Sequence, residues 1–250
     1  MAMAKSITEA RANRDHRVRP GRQDYWVSRF FESSPETPDR PMGFLVEKQP
    51  HDTVHPHFHE VNQFQVIAGG YGRMGKMPVA PFTLHYTNGY TGYGPIVGED
   101  EGIAFFTLRN RWDPGAKYFS NSRHLMKKAP RRHRVPDHVP VSDDAAMKAR
   151  TEAALDVLIE PEEDGLAAWV ARVPPGGTAE APDPKRGGGQ YLIVAGGTML
   201  HDGEALPRLS CAYVRRDETP MTLQAGPDGL EVMIAQFPKE EAWPPETGTA

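Results

Sequence analysis

The chain has 250 residues, a length that accommodates one large domain or two domains of ordinary size. Its 33 acidic and 29 basic residues give a net charge of -4, so the whole chain has no field that would attract nucleic acid or an anionic membrane. A single cysteine excludes an intramolecular disulfide and a Cys-x-x-Cys site. No apolar run has the length of a membrane span or an export signal, so we expect a cytoplasmic protein without nucleic-acid or membrane partners.

Short apolar runs bounded by turn residues follow one another along the chain. The 24 glycines and 24 prolines indicate many short segments joined by tight turns. The runs predict strands at residues 25–31, 44–48, 63–68, 82–87, 103–108, 167–173, 191–195, 211–215 and 230–236. Strands of this length and spacing favour an all-β fold, with a sandwich or a jelly-roll barrel in each half.

An internal repeat divides the chain into halves. The segment QFQVIAGG begins at Gln63, and the matching segment QYLIVAGG begins 127 residues later at Gln190. The same offset aligns LHY with CAY, and Gly102 with Gly229. We therefore expect two barrels that superimpose with Gln63 on Gln190 and Gly102 on Gly229.

The repeat predicts the domain boundaries. They give an N-terminal arm at 1–23, a first barrel at 24–111, a linker at 112–154, a second barrel at 155–238 and a tail at 239–250. The polar, Arg-rich arm is either extended or disordered. The basic linker segment KKAPRRHRVPDHVPV favours an exposed connection, with an anion-binding arm as the alternative. Ser142 is placed to cap a short helix in the linker.

The segment 51–59 contains four of the ten histidines of the chain. Because side chains alternate across a strand, His55, His57, His59 and Gln63 would project to one face. Imidazoles on one face inside a barrel can converge on a divalent metal ion. The alternative is an exposed or hydrogen-bonded histidine run, and the proline after His55 can turn that ring toward solvent.

The spacing of these residues resembles a known motif. In the run His57-x-His59, three residues, Gln63, six residues, Gly70, the spacing is that of the first motif of the cupin superfamily. The family has a glutamate where this chain has Gln63. The resemblance extends over most of residues 24–238 and implies a bicupin, which is a protein with two tandem cupin-type jelly-roll barrels.

The resemblance also implies a metal site in the first barrel, formed by His57, His59, Gln63 and a further ligand. The second cupin motif is loosely matched in PFTLHYTN, which makes His85 that ligand. A competing alignment of the motif puts Asp100 or Glu101 near the same position.

The second barrel lacks these histidines. At the offset of 127, His57 becomes Pro184, His59 becomes Arg186, His85 becomes Ala212, and Gln63 is retained as Gln190. We therefore expect a structural second barrel, in which Arg186 supports an anion site at most.

Neutral imidazoles and one amide oxygen suit a divalent transition metal, which can be Fe, Mn, Ni, Cu, Co or Zn. A glutamine in place of a carboxylate leaves the metal charge less compensated, so an anionic oxygen ligand is favoured. Tyr93 is the candidate catalytic residue, as a hydrogen-bond donor or general acid, with aromatic packing at the barrel mouth as the alternative.

Three classes of function remain open, since cupins include enzymes, storage proteins and sensors. The first is a metal-dependent enzyme that acts on a small oxygenated organic substrate, for example a dioxygenase. The second is a ligand-binding or sensing protein without turnover, and the third is a metal-free structural protein. Because two barrels in one chain can bury their paired sheets, we expect a monomer or a homodimer.

Overall fold

A computed structural model describes residues 2–128 and 131–239 of the chain. Strands account for 48% of it and helices for 9%, which confirms the all-β prediction. The strands are β1 Met3–Lys5, β2 Asp15–Arg17, β3 Tyr25–Phe31, β4 Met42–Lys48, β5 Thr53–Val54, β6 His57–Phe58, β7 Gln63–Met74, β8 Met77–Val79, β9 Leu84–Thr87, β10 Ile96–Arg109, β11 Lys117–Tyr118, β12 His133–Arg134, β13 Ala154–Ile159, β14 Ala167–Val173, β15 Thr178–Glu180, β16 Gln190–His201, β17 Glu204–Pro207, β18 Cys211–Val214 and β19 Thr222–Gln236. The helices are α1 Ile7–Ala12, α2 Phe119–Ser122 and α3 Asp144–Lys148, with 3-10 turns at Arg123–Leu125 and Pro184–Arg186.

Two large antiparallel sheets make up the fold. In the first sheet the strands follow the order β12-β9-β7-β10-β4-β3-β2, with β5 beside β10 and β8 beside β7. In the second sheet the order is β1-β18-β16-β19-β14-β13, with β15 beside β19 and β17 beside β16. The series β9-β7-β10-β4-β3 thus corresponds to the series β18-β16-β19-β14-β13. The halves therefore share one topology, and a short third sheet pairs β6 with β11.

The strand register repeats with the offset found in the sequence. Gln63 pairs with Thr87 in the first sheet, and Gln190 pairs with Val214 in the second. Strands β7 and β16 begin 127 residues apart and contain 12 residues each. The predicted repeat therefore extends to the pairing of individual residues.

Two glycine pairs explain why the repeat retains its glycines. Gly70 has φ +73°, and a Cβ on it would lie 2.2 Å from the carbonyl oxygen of Gly102. Gly197 has φ +68°, and a Cβ on it would lie 2.0 Å from the carbonyl oxygen of Gly229. Each half therefore needs a residue without a side chain where its long strands bend past each other.

The main apolar core lies between the two sheets. Alternate residues of β7 and β16 face it, namely Phe64, Val66, Ala68, Tyr191, Ile193 and Ala195. The rings of Phe64 and Phe237, one from each half, are 5.0 Å apart. Because the side chains of a strand alternate, Gln63 and Gln65 on the opposite face of β7 point into the first barrel.

The N-terminal segment is more ordered than an arm. Strand β1 pairs with β18 of the second sheet, and β2 pairs with β3 of the first. Helix α1 connects these strands and buries Ile7 and Ala10. The disordered alternative is therefore wrong for residues 2–23, because strands β1 and β2 complete the edges of the two sheets.

The linker is only partly exposed. Strand β12 pairs with β9, and the ring of Phe119 is 6.1 Å from that of Phe58. The predicted helix is present as α3, but its cap is Asp143, whose side chain accepts from the N–H of Ala146. The proposed cap Ser142 is wrong, since its hydroxyl donates to Glu231 instead.

Of the predicted tail at 239–250, only Lys239 belongs to the described residues. Within the two described ranges, no helix combines the length and the apolar composition that a membrane crossing requires.

Candidate functional site

His57 and His59 lie in and just after the short strand β6. Both side chains are buried, and their ring centroids are 5.2 Å apart. The prediction that the histidines and Gln63 lie on one strand is wrong, since β6 ends at residue 58 and Gln63 begins β7. Pro56, which has no N–H to donate, precedes β6, and His55 is exposed. Both inner histidines nevertheless face the interior of the first barrel.

Each histidine has its Nδ1 next to an acceptor. Nδ1 of His57 is 2.7 Å from the carbonyl oxygen of His55, and Nδ1 of His59 is 2.7 Å from Oδ1 of Asp113. These partners assign the ring proton to Nδ1 and leave the lone pair on Nε2. Burial lowers the pKa of His57 to about 4 and that of His59 to about 3, with a further contribution from the charge of Arg109. Both rings are therefore neutral at neutral pH.

A buried arginine on β10 adjoins these groups. Arg109 is 2% exposed, and its Nη2 donates to Oε1 of Gln63 over 3.0 Å. The same Nη2 lies 3.1 Å from both ring nitrogens of His59, so it sits over the face of that ring. Its Nε also donates to Oε1 of Gln63, over 3.2 Å. The site thus contains a permanent positive charge.

Gln63 and Tyr93 complete this group. Because Arg109 donates to the amide oxygen of Gln63, the amide nitrogen faces Tyr93 and donates to its hydroxyl oxygen. Tyr93 is positioned by backbone hydrogen bonds to His57, and their ring centroids are 4.5 Å apart. Burial raises the pKa of Tyr93 far above its usual value, so the phenol keeps its proton.

His85 belongs to a neighbouring group. It is buried on β9, with Nδ1 3.3 Å from Oε1 of Gln65 and Nε2 3.2 Å from Nδ1 of His133. Its ring centroid is 5.2 Å from that of Tyr93. Burial lowers its pKa to about 3. The four predicted ligands are therefore divided, with His57, His59 and Gln63 around Arg109 and His85 beside His133.

The alternative candidates for the fourth metal ligand, Asp100 and Glu101, lie away from the site. Asp100 and Glu101 are exposed in β10, and Asp100 is within 3.4 Å of the exposed His51. They are wrong as replacements for His85, because the bend of β10 projects them into solvent.

Asp113, a linker residue, bonds both to His59 and to the backbone of neighbouring loops. Its Oδ1 accepts from the backbone N–H of Gly115 over 2.8 Å, and its Oδ2 accepts from that of Glu60 over 3.0 Å. Burial alone would raise the pKa of Asp113, but the hydrogen bond to His59 and the charge of Arg109 lower it to about 2. The carboxylate is therefore ionised, and it orients the imidazole of His59.

A cavity of about 490 Å³ opens onto His57, His59, Tyr93 and Arg109. Its volume is in the range of sites for small molecules. The cationic side chains in its lining are Arg17, Arg19, Arg22, Arg29, Lys48 and Arg109, whereas Asp52 is the acidic one among the described lining residues. Arg17 and Arg29 contact Asp15, and Lys48 contacts Asp52. The cavity therefore has an excess of positive charge.

The equivalent space in the second barrel is apolar. The positions of Gln65 and His85 are taken there by Leu192 and Ala212, both fully buried. Gln190 stands at the position of Gln63, and Gln236 at that of Arg109. The amide nitrogen of Gln190 donates to Oε1 of Gln236 over 2.9 Å. The site is therefore a property of the first barrel. Arg186, the residue expected to support an anion site at most, is exposed.

No protein-family model matches this sequence, and no curated protein matches it. Solved structures do resemble it. A candidate dioxygenase from Nostoc punctiforme superimposes with a TM-score of 0.62 at 13% identity, over 97% of this chain and 85% of that one. Oxalate decarboxylase from Bacillus subtilis, a protein with Mn(II) centres, superimposes with a TM-score of 0.57 at 12% identity, over 96% of this chain and 78% of that one. A pirin from Escherichia coli, solved with nickel(II), superimposes with a TM-score of 0.58 at 10% identity, over 96% of this chain and 100% of that one.

These similarities span both halves and agree with the duplicated topology. The chain has the bicupin fold. The bicupin fold that the histidine motif implied is therefore confirmed.

A bicupin metal centre would use the ring nitrogens of the histidines and an oxygen at the position of Gln63. The Nδ1 partners of His57 and His59 suit metal ligands, because a ligating imidazole usually donates its other N–H. The remaining donors do not fit: Oε1 of Gln63 accepts from Arg109, and His85 is engaged elsewhere. Among the described residues, no three His, Cys, Asp or Glu side chains are placed to share a metal ion.

Three residues of this site, namely Arg109, Asp113 and His133, were not identified from the sequence. Arg109 ends an apolar run, where an arginine usually marks the surface, and Asp113 and His133 lie in the predicted linker. A usable signal for Arg109 is the repeat, since the offset aligns it with Gln236 beside Gln190. The roles of Asp113 and His133 depend on how the linker folds back, which no local pattern indicates.

Proposed function

We propose that the first barrel of this bicupin-fold protein binds a small oxygenated organic anion, such as a carboxylate. The supporting observation is the buried guanidinium of Arg109 at a cavity with excess positive charge. Its Nη1 lies 3.5 Å from the sulfur of Met42 and 3.7 Å from Oδ1 of Asp113, and neither contact is a short hydrogen bond. That nitrogen can therefore donate to a ligand, and a charge-assisted hydrogen bond to a carboxylate is strong.

The other lining residues favour an organic ligand over a bare inorganic ion. Apolar side chains such as Phe44, Val46 and Phe105 line the cavity together with Tyr93. The phenol of Tyr93 keeps its proton, so its role is that of a hydrogen-bond donor to an oxygen of the ligand. A body of a few carbon atoms would contact the apolar side chains while its oxygens face Arg109 and Tyr93.

The second candidate is the metal-dependent enzyme indicated by the histidine motif, which would act on such an anion as an oxidoreductase, for example a dioxygenase. Two observations favour it: the Nδ1 partners of His57 and His59, and the metals named for the similar oxalate decarboxylase and pirin. It requires Oε1 of Gln63 to release Arg109. Elemental analysis of untagged protein, with oxygen uptake and product assays, separates this candidate from a binding protein without turnover.

Calorimetric titration with oxalate, malonate, lactate and 2-oxoglutarate in metal-free buffer tests the anion site. We expect at least one of these carboxylates to bind the wild type, and Arg109→Gln to weaken that binding by more than about tenfold, since a charged donor is lost. Arg215→Gln is the matched control, because this exposed arginine pairs with Asp217 away from the cavity.

Two results would contradict the proposal. One is that no carboxylate in the panel binds to the wild type. The other is that Arg109→Gln, with a circular dichroism spectrum and melting temperature like those of the wild type, binds as tightly as the wild type does.

A further inference from the structure

We infer that the guanidinium of Arg109 takes the place of a metal ion in the first barrel, so that the anion is held without a metal. The inference rests on the proposed anion site for its functional meaning. The exclusion of metal is measured with no anion present, so the two proposals can fail separately.

The contacts of Arg109 carry this inference. Two of its nitrogens donate to Oε1 of Gln63, which is the donor atom at the carboxylate position of the histidine motif. A third contact places Nη2 3.1 Å from both nitrogens of His59. The guanidinium thus contacts two of the side chains, His59 and Gln63, that a metal ion at this motif would bind.

The charge balance points the same way. A divalent ion next to a guanidinium is strongly repelled in a buried site, since charges a few Å apart interact by several kcal/mol. The neutral amide of Gln63 does not offset that repulsion as a glutamate would. The nearest carboxylate is Asp113, 3.7 Å from Nη1 of Arg109 and already engaged with His59.

The fold holds Arg109 in place. The carbonyl oxygen of Arg109 accepts a hydrogen bond from the hydroxyl of Tyr191, a second-barrel residue, over 2.8 Å. Its guanidinium carbon is 5.7 Å from the ring centroid of Phe44. Tyr191 thus fixes the backbone of Arg109, and a side chain that is 2% exposed does not swing freely out of the site.

The second barrel supplies the substitution that tests this inference. Arg109→Gln introduces the residue that stands at the equivalent position, Gln236. We expect wild-type protein, purified without an affinity tag and dialysed against Mn²⁺ or Ni²⁺, to retain far less than one equivalent of metal. Arg109→Gln should bind Ni²⁺ more than about tenfold tighter than wild type by calorimetry, because the repulsion is removed. The double variant Arg109→Gln/Gln63→Glu should bind it tighter still.

Two control variants separate this effect from a general loss of positive charge. Arg29→Gln removes a charge from the same cavity without touching Gln63 or His59, and should leave Ni²⁺ uptake at the wild-type level. Arg109→Lys keeps the charge and should also remain metal-free.

Stoichiometric metal in the wild type would overturn the inference, and that measurement does not depend on any variant folding. Equal Ni²⁺ affinity of wild type and folded Arg109→Gln would overturn it too, as would equal gains in Arg109→Gln and Arg29→Gln.

Discussion

Individual side chains in the first barrel are set by partners that are distant in sequence. Asp113 orients His59 across 54 residues, and Arg109 orients the amide of Gln63 across 46. Each of these polar groups is buried, so each requires a hydrogen-bonding partner to offset its lost hydration. The result is a buried polar cluster with one positive and one negative charge, Arg109 and Asp113, inside the first barrel.

The buried histidines predict a pH dependence of stability. The pKa values of His57, His59 and His85 are lowered to about 4, about 3 and about 3 in the folded state. The unfolded chain titrates these groups near 6.5 and so binds more protons between about pH 6.5 and 3. Their stabilising contribution is therefore complete above about pH 6.5 and is lost as the pH falls through this window.

Urea denaturation at pH 7, 6, 5 and 4.5 measures this loss. Each of the three histidines contributes a slope that approaches about 1.4 kcal/mol per pH unit inside the window. His85→Asn should flatten the dependence, whereas His124→Asn, at an exposed position, should not change it. A free energy of unfolding that is constant from pH 7 to 4.5 would contradict the prediction.

At the scale of elements, the linker helix α3 is attached to the second sheet by a buried carboxylate. Glu231 on β19 is fully buried, and its oxygens accept from the hydroxyl and the backbone N–H of Ser142. Arg150 and Arg172 lie 2.8 and 2.5 Å from its Oε1. A buried charge with several donors is stable only while all the partners are present.

Glu231→Gln should therefore lower the free energy of unfolding by about 3 kcal/mol, because the partly buried Arg150 loses its carboxylate partner and Arg172 keeps only Asp156. Chemical denaturation measures the change. The control is Asp228→Asn, which removes an exposed pair with Lys148 next to the same helix and should cost less than about 1 kcal/mol. Similar losses in the two variants would show that the carboxylate of Glu231 does not hold this contact.

At the scale of the molecule, the two barrels cover each other. The main core contains residues of both halves, and β1 and β12 extend the sheets beyond the β18 and β9 strands. Because the chain buries these faces by itself, association is not needed to complete the core.

We therefore expect a monomer or a homodimer at micromolar concentration. Size-exclusion chromatography with multi-angle light scattering measures the mass against the 27.7 kDa of one chain. A stable hexamer would show that a further surface is buried between chains.

The sequence by itself determined the fold class, the duplication and the first-barrel location of the histidines. These features follow from local patterns: strand-length apolar runs, a constant offset of 127, and glycines needed where φ is positive. It also predicted strands β3 and β14 to their ends, because turn residues bound both runs closely.

Only the tertiary structure decided which groups meet inside the first barrel. It places His85 beside Gln65 and His133, and Arg109 beside Gln63. It also shows that the cap of helix α3 is Asp143 and not Ser142. The physical reason is that hydrogen-bond partners of buried polar groups are chosen by proximity in the folded chain. An arginine is usually a surface residue, and Arg109 becomes the buried charge of the site because its side chain points from β10 into the first barrel toward Gln63 and His59.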